Sequence, residues 1–304
     1  MDITIVIPLY NRKDTIRITL DSIVNSSVKP RQIIIVDNGS TDGSYEYAQT
    51  LSKLHTTDIM VARENTAGAA AARNKGLSLC QTPWIYFFDS DDIFTGLPSS
   101  WDEEAQMVCI PTQMQTGKRL RTRDYKAVNT PHTHVLNAML NTVSMIFRTD
   151  FLRHIGGWNE RCRIWDDWEL GIRALIHAHK VQWITDKAYH RIIATSDSIT
   201  GSSYSSRVTQ IVQTLTEALD DILLMPQSTE KRHTLLAFYL RCHIIVGQML
   251  REGDAQSASL VQSFIDERLQ VEQRYARIGK MMRTYTARRI PGAWRIALWV
   301  VNNN

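Results

Sequence analysis

Four short runs of unbroken apolar residues, separated by three segments of helical spacing, restrict the first third of this chain to a small set of folds. The runs are residues 3–7, 33–36, 59–62 and 84–88. Runs of four to seven apolar residues without alternation belong to strands buried on both faces. Between them, Ile16, Leu20, Ile23 and Val24 form one helical stripe, residues 45–54 form a second helix, and alanine-rich residues 69–79 form a third. The order implies an α/β fold, a mostly parallel sheet flanked by helices.

Beyond that third the pattern is less regular. Residues 107–110 and 142–147 read as strands, 118–123 as a basic exposed stretch, and 166–177 as a helix. After Ser206 the spacing is helical: Val208, Ile211, Val212, Leu215 and Leu219, then residues 235–250 and 260–269. The expected division is a catalytic domain over 1–205 and a helical C-terminal region with a basic, aromatic tail over 206–304.

In such a sheet, ligands bind at the carboxyl ends of the strands. Those ends carry Pro8, Tyr10 and Asn11, then Asp37, then Arg63, Glu64 and Asn65, and finally Asp89, Asp91 and Asp92. Three carboxylates within four residues repel one another unless a cation or hydrogen-bond donors offset them. Mg²⁺ and Mn²⁺ take oxygen ligands, often one or two carboxylates plus substrate phosphates. A solvated turn or a helix cap is the plain alternative.

The segments Thr4-Ile5-Val6-Ile7-Pro8-Leu9-Tyr10-Asn11, Ile34-Ile35-Val36-Asp37-Asn38-Gly39-Ser40-Thr41-Asp42 and Phe88-Asp89-Ser90-Asp91-Asp92 resemble family 2 of the glycosyltransferases. So do Asn65-Thr66-Ala67-Gly68, Ala72-Arg73-Asn74-Lys75-Gly76, Gly156-Gly157-Trp158-Asn159-Glu160 and Trp165-Asp166-Asp167-Trp168-Glu169-Leu170, in matching order over residues 2–200. The resemblance implies a GT-A fold and inverting transfer from a nucleotide sugar, most often a UDP-sugar, with Mn²⁺ or Mg²⁺. It implies that Pro8, Leu9 and Tyr10 line the base pocket and that Asp37 accepts a hydrogen bond from uracil. It places Arg73 near base or phosphates, Asp89 at the ribose or metal, Asp91 on the metal, and Asp167 as general base. Plain alternatives are packing for Tyr10, turn capping for Asp37, a solvated helix position for Arg73, and helix-dipole contacts for Asp166 and Asp167.

One segment departs from the family. Many relatives carry a Tyr-x-x-His-like segment here; in this chain residues 189–199 hold Ile193 or a neighbour at the histidine position, with His190 and Arg191 shifted. Either touches the diphosphate, or the loop differs.

The implied acceptor is a carbohydrate or lipid-linked hydroxyl in surface polysaccharide or glycolipid synthesis. A nucleotidyltransferase would show a glycine-rich basic loop after the first strand, where Pro8-Leu9-Tyr10-Asn11-Arg12-Lys13 stands instead. A catalytically silent module of the same fold is the other alternative.

Charge is unevenly spread. Seven of the 35 basic residues and none of the 31 acidic ones lie from Gln273 onward, leaving the remaining chain slightly net negative. That excludes a general nucleic-acid binder. Residues 290–301, with Trp294 and Trp299, are too short to span a bilayer. They suit the interface of an anionic membrane, or equally a docked terminal helix with solvated arginines. Cys80, Cys109, Cys162 and Cys242 form no CxxC pair, and with no secretory leader expected, the location expected is cytoplasmic, peripheral on the inner membrane face.

Overall fold

The computed structural model describes residues 2–123, 130–193 and 203–304. The chain forms two compact units. The first comprises Met1–Lys126, Leu140–Leu170 and His177–Thr195; the second comprises Ala127–Met139, Gly171–Ile176 and Ser196–Asn304.

The first unit is built on a seven-stranded sheet. It opens with β1 (Ile3–Leu9), α1 (Ile16–Val24), β2 (Gln32–Asp37), α2 (Ser44–Ser52), β3 (Asp58–Arg63), α3 (Ala69–Leu79) and β4 (Trp84–Phe87). β1 pairs in parallel with β2 and β4, and β2 with β3. The expected mostly parallel, helix-covered sheet is therefore present. Side chains alternate across a strand. Ile3, Ile5, Ile7 and Leu9 of β1 join Ile16, Leu20 and Ile23 of α1 in one core. Val6 points the other way, onto α3, where a Cβ on Gly76 would lie 2.2 Å from its Cγ1. Only glycine allows that approach of helix to strand.

After β4 come β5 (Ile93–Phe94), β6 (Met107–Cys109), β7 (Thr112–Thr116) and β8 (Arg119–Arg123). Later strands are β9 (Met145–Arg148), β10 (Val181–Trp183) and β11 (His190–Ile193). β9 lies antiparallel between β4 and β6, giving the order β10-β6-β9-β4-β1-β2-β3. The strand expected over 142–147 begins three residues later, because Thr142–Ser144 forms a 3₁₀ turn. The exposed basic stretch forms a strand: β8 pairs antiparallel with β7 in a second sheet of order β5-β11-β7-β8.

The second unit is helical. Besides α4 (Pro131–Asn137), it contains α7 (Val208–Leu224), α8 (Thr229–Arg251), α9 (Ala255–Arg268), α10 (Gln273–Ala287) and α11 (Ala293–Asn302). α8 is the centre, packed by α4, α9, α10 and α11. Its Gly247 lies against the backbone of Arg283 on α10, and Gly279 of α10 lies against His243 and Tyr239 of α8. His132 and His134, two apart, sit on helix α4. His132 Nδ1 bonds Glu230 at 2.8 Å and is buried. The two remaining helices are α5 (Thr149–His154) and α6 (Asp166–His177), the latter with the bounds its periodicity predicts.

Candidate active site

The carboxyl ends of β1, β2 and β3 are in register, Leu9 opposite Asp37 and Asp37 opposite Arg63. Tyr10 projects there, 59% exposed, while the side chain of Leu9 is fully buried in the core below. Pro8 is half-buried at the same end. Asn11, in the left-handed region at φ 49°, folds back over the β2 loop. Its backbone N–H donates to Ser40 Oγ, and its side-chain oxygen accepts from the Thr41 N–H.

Asp37 is buried at the mouth of an open cleft of about 210 Å³ lined by Asp37, Gly39, Ser40, Arg63, Glu64 and Asn65. Its Oδ2 accepts from the N–H groups of Gly39 and Ser40, both at 3.3 Å, so the turn-capping role is filled. Its Oδ1 is buried with no hydrogen-bond partner among the described residues. An orphaned carboxylate oxygen is costly and is relieved by an arriving donor. Asn38 shapes the far wall: its side-chain amine donates to the carbonyls of Glu64 and Thr66, and its oxygen accepts from Gly68 N–H at 2.7 Å.

The acidic turn after β4 is held by α1. Thr15 donates to Ser90 O at 3.0 Å and Thr19 to Asp92 O at 2.9 Å. The three carboxylates then diverge. Asp91 Oδ2 pairs with Arg12 Nε at 3.2 Å. Asp89 Oδ1 pairs with Arg73 at 3.3 Å. Asp92 turns inward, its Oδ2 2.7 Å from His190 Nε2 and its Oδ1 accepting from Ile193 N–H. His190 is wholly buried, Nδ1 3.0 Å from the Tyr86 hydroxyl, which donates its own proton to Val143 O. The Tyr86 oxygen therefore accepts from Nδ1–H, and one proton is shared between Nε2 and Asp92. Burial pushes the Asp92 carboxyl up and the imidazole down, so that proton stays on Asp92. His190 thus anchors β11 to the acidic turn and does not face solvent; residues 194–199 of the divergent segment lie outside the described residues.

Arg73 is no solvated helix residue. It is buried, its guanidinium 2.7 Å from Asp166 and 3.3 Å from Asp89, with its carbon 4.4 Å from the Trp158 ring centre. Trp158 is fixed by Asn74, whose side chain both donates to Trp158 O and accepts from its N–H, at 2.9 Å each. That contact needs Gly157, at φ 69°, because a Cβ there would lie 2.7 Å from Asn74 Oδ1. Trp165, at φ 54°, turns the chain into α6. This is a strained conformation for a bulky residue. It sets Asp166 and Asp167 at the start of the helix.

Arg73 thereby ties the turn after β4 to the first turn of α6. Asp167 lies within electrostatic reach of Asp166, Arg73 and Asp89. Burial first, then Asp166, raise its carboxyl to about 7, with Arg73 opposing. Burial also raises Asp89 to about 6, again against Arg73. A carboxylate that releases its proton near neutrality suits a general base.

Among the described residues, no three His, Cys, Asp or Glu side chains converge as a metal cluster. Asp89 and Asp91 nonetheless suit a hard cation. Each has one oxygen on an arginine and, among the described residues, no hydrogen bond on the other, and burial disfavours the charge on Asp89. Arg12, Asn38, Asn74, Tyr86 and Trp158 were not assigned roles from the sequence. Only Asn38, Asn74 and Trp158 lay inside the recognised motifs, and nothing local marked their partners.

Residues 4–144 match the family model of Glycosyl transferase family 2. The minor teichoic acid biosynthesis protein GgaA of Bacillus subtilis (strain 168) is 28% identical over 188 residues, covering 54% of this chain and 41% of that protein. The first curated relatives are matched over 13%, 41% and 36% of their own length, so the chain spans less than half of each. The crystal structure of S. aureus TarS 1-349 in complex with UDP-GlcNAc superposes with a TM-score of 0.62 at 15% identity, covering 100% of this chain and 92% of that one. The mannosyltransferase PcManGT from Pyrobaculum calidifontis, in complex with GDP-Man and Mn²⁺, gives 0.60 at 17%, covering 99% and 87%. At these identities the likeness shows the fold, which is that of GT-A glycosyltransferases. Over residues 4–144, less than half of its length, the chain is similar to glycosyl transferase family 2.

Proposed function

We propose that this protein is an inverting glycosyltransferase that moves a sugar from a nucleotide diphosphate sugar, a UDP-sugar first, to an acceptor hydroxyl in surface polysaccharide or glycolipid synthesis. The observation that carries the reading is the buried Arg73, which joins Asp89 to the helix start bearing Asp167. It brings a phosphate-side carboxylate and a candidate base into one site. The relatives' names and the UDP-GlcNAc complex of TarS support it.

In this reading the orphaned Asp37 Oδ1 accepts the uracil ring N–H, and Tyr10 covers the base. Asp89 and Asp91 would hold Mn²⁺ or Mg²⁺, which would offset charge on the leaving diphosphate. Asp167 takes the acceptor proton as the hydroxyl attacks the anomeric carbon from the opposite face. Arg73 holds Asp166 in place beside it.

UDP with Mn²⁺ should raise the melting temperature, by the equivalent of about 2.7 kcal/mol at a hundredfold excess over Kd. GDP should do less, and Asp37→Ala should abolish the difference between the two. No response to any nucleotide would favour a catalytically silent module.

For location, no helix among the described residues is long and apolar enough to cross a membrane. We propose peripheral contact with an anionic bilayer through α11 and the corner before it. α11 buries Ala293, Ala297, Val300 and Val301, leaving Trp299 67% exposed and Trp294 39% exposed on the other side. Arg288, Arg289 and Arg295 are exposed beside them, with no ion pair among the described residues. Tryptophan at headgroup depth and arginine over anionic lipid are the chemistry of an interfacial helix. Because α10 packs on α8, point variants serve better than truncation. Trp294→Ser with Trp299→Ser should cut retention on anionic vesicles at least about fivefold; unchanged retention would sink the idea.

A further inference from the structure

We infer that Arg12 is a placeholder cation in the candidate active site: it neutralises Asp91, yields that carboxylate to the divalent cation, and then pairs with the donor diphosphate. The inference rests on the transferase reading above and adds a donor-site residue to it. Three carboxylates within four residues must each be offset, and the fold offsets them separately. Asp89 pairs with Arg73, Asp92 shares a proton with His190, and Asp91 pairs with Arg12. Two of these partners are committed. Arg73 is buried and also holds Asp166, and His190 is wholly buried against Tyr86. Arg12 is different. Its side chain is 37% exposed, that of Asp91 is 26% exposed, and Nε meets Oδ2 at 3.2 Å. A partly exposed ion pair of this kind contributes little to stability, so it is exchanged at low cost.

The backbone that carries this guanidinium is fixed. Arg12 N–H donates to Ser44 Oγ at 2.9 Å, and Arg12 O accepts from the N–H groups of Thr15 and Ile16. Asn11, just before it, is held by Ser40 and Thr41. The side chain is the part that can swing. Its further hydrogen bond, to Asn11 O at 3.3 Å, runs back along its own chain. Arg12 therefore stands at the carboxyl edge of the sheet, between the loop after β2 and the acidic turn. A divalent cation held by one or two carboxylates takes further ligands from substrate phosphates. The guanidinium that leaves Asp91 is then beside a diphosphate, and its planar fork fits phosphate oxygens.

This arrangement gives Arg12 opposite effects on the two ligands. It opposes a cation that arrives alone, by competing for Asp91, and it favours a cation that arrives with the diphosphate. An ion pair that merely steadies the turn predicts something else: its removal would loosen the turn and weaken both ligands together.

The test is binding, read without turnover. Mn²⁺ is titrated into the full chain, and the free ion is followed by its paramagnetic resonance signal; UDP is then titrated at saturating Mn²⁺. Arg12→Gln should bind Mn²⁺ alone about three- to fivefold tighter than wild type, the scale of an exposed ion pair. The same variant should bind UDP about tenfold more weakly, the scale of one charge-assisted hydrogen bond. Arg12→Lys, which keeps the charge, should return Mn²⁺ affinity to the wild-type value and restore part of the UDP affinity. In an Asp91→Asn background, Arg12→Gln should bring no gain in Mn²⁺ affinity. Equal or weaker Mn²⁺ binding by Arg12→Gln, including no binding by either protein, would overturn the placeholder, as would a gain that persists with Asp91→Asn. Undiminished UDP binding by Arg12→Gln would overturn the pairing with the diphosphate. Absence of any UDP response in wild type would instead strike the transferase reading itself.

Discussion

Asp167→Asn should lower transfer by about three orders of magnitude, within the range that general-base catalysis supplies. It should leave UDP-induced stabilisation close to wild type. Asparagine keeps the oxygen that accepts from Trp168 N–H at 2.8 Å, so the start of α6 is retained. What disappears is the group that takes the acceptor proton. In wild type, kcat/KM should rise with pH and level off above about 7, because burial and Asp166 hold the Asp167 proton until then. Asp166→Asn should act differently, since Asp166 is the Arg73 partner at 2.7 Å. It should reduce stability as well as rate. Full turnover by Asp167→Asn would remove Asp167 from the mechanism.

Arg73→Leu should destabilise the ligand-free protein by about 2–4 kcal/mol at pH 8, the range for breaking a buried pair reduced for the partial exposure of Asp89. The deficit should be smaller at pH 5, and the sign follows from the carboxylates. Asp89 at about 6 and Asp167 at about 7 are raised above the ordinary carboxylate value even with Arg73 present. A raised carboxyl contributes stability at low pH that is lost as pH climbs toward its folded-state value. Without Arg73 both are raised further, so the loss between pH 5 and pH 8 grows. Thermal unfolding of both proteins across that range checks it. A deficit independent of pH would mean that Arg73 acts only by packing against Trp158.

The framework of the first unit was legible because it depends on local periodicity. β1 and β2 are unbroken apolar runs, and Ala69–Leu79 has the bounds that its alanines predict. The hairpin of β7 and β8 was not legible. Its residues are polar and basic, its outer face is solvated, and no apolar alternation marks it. The antiparallel insertion of β9 between β4 and β6 depends on a return of the chain from about 60 residues away, which no local signal encodes.

By itself, the sequence determined which residues stand at the strand ends, since apolar runs must be buried and the residues that follow them surface at one edge of the sheet. Asp37, Asp89 and Asp91 were placed that way, whereas the Asp166-Asp167 pair was read from a helical segment and the family resemblance. Only the tertiary structure decided what each touches. It gave Asp92 to His190, 98 residues away, and Asp166 to Arg73, 93 residues away. It left one oxygen of Asp37 without a partner among the described residues. The reason is physical. Hydrophobic periodicity is read within a few residues, whereas the charge of a buried carboxylate is set by whichever distant side chain the fold brings within about 3 Å.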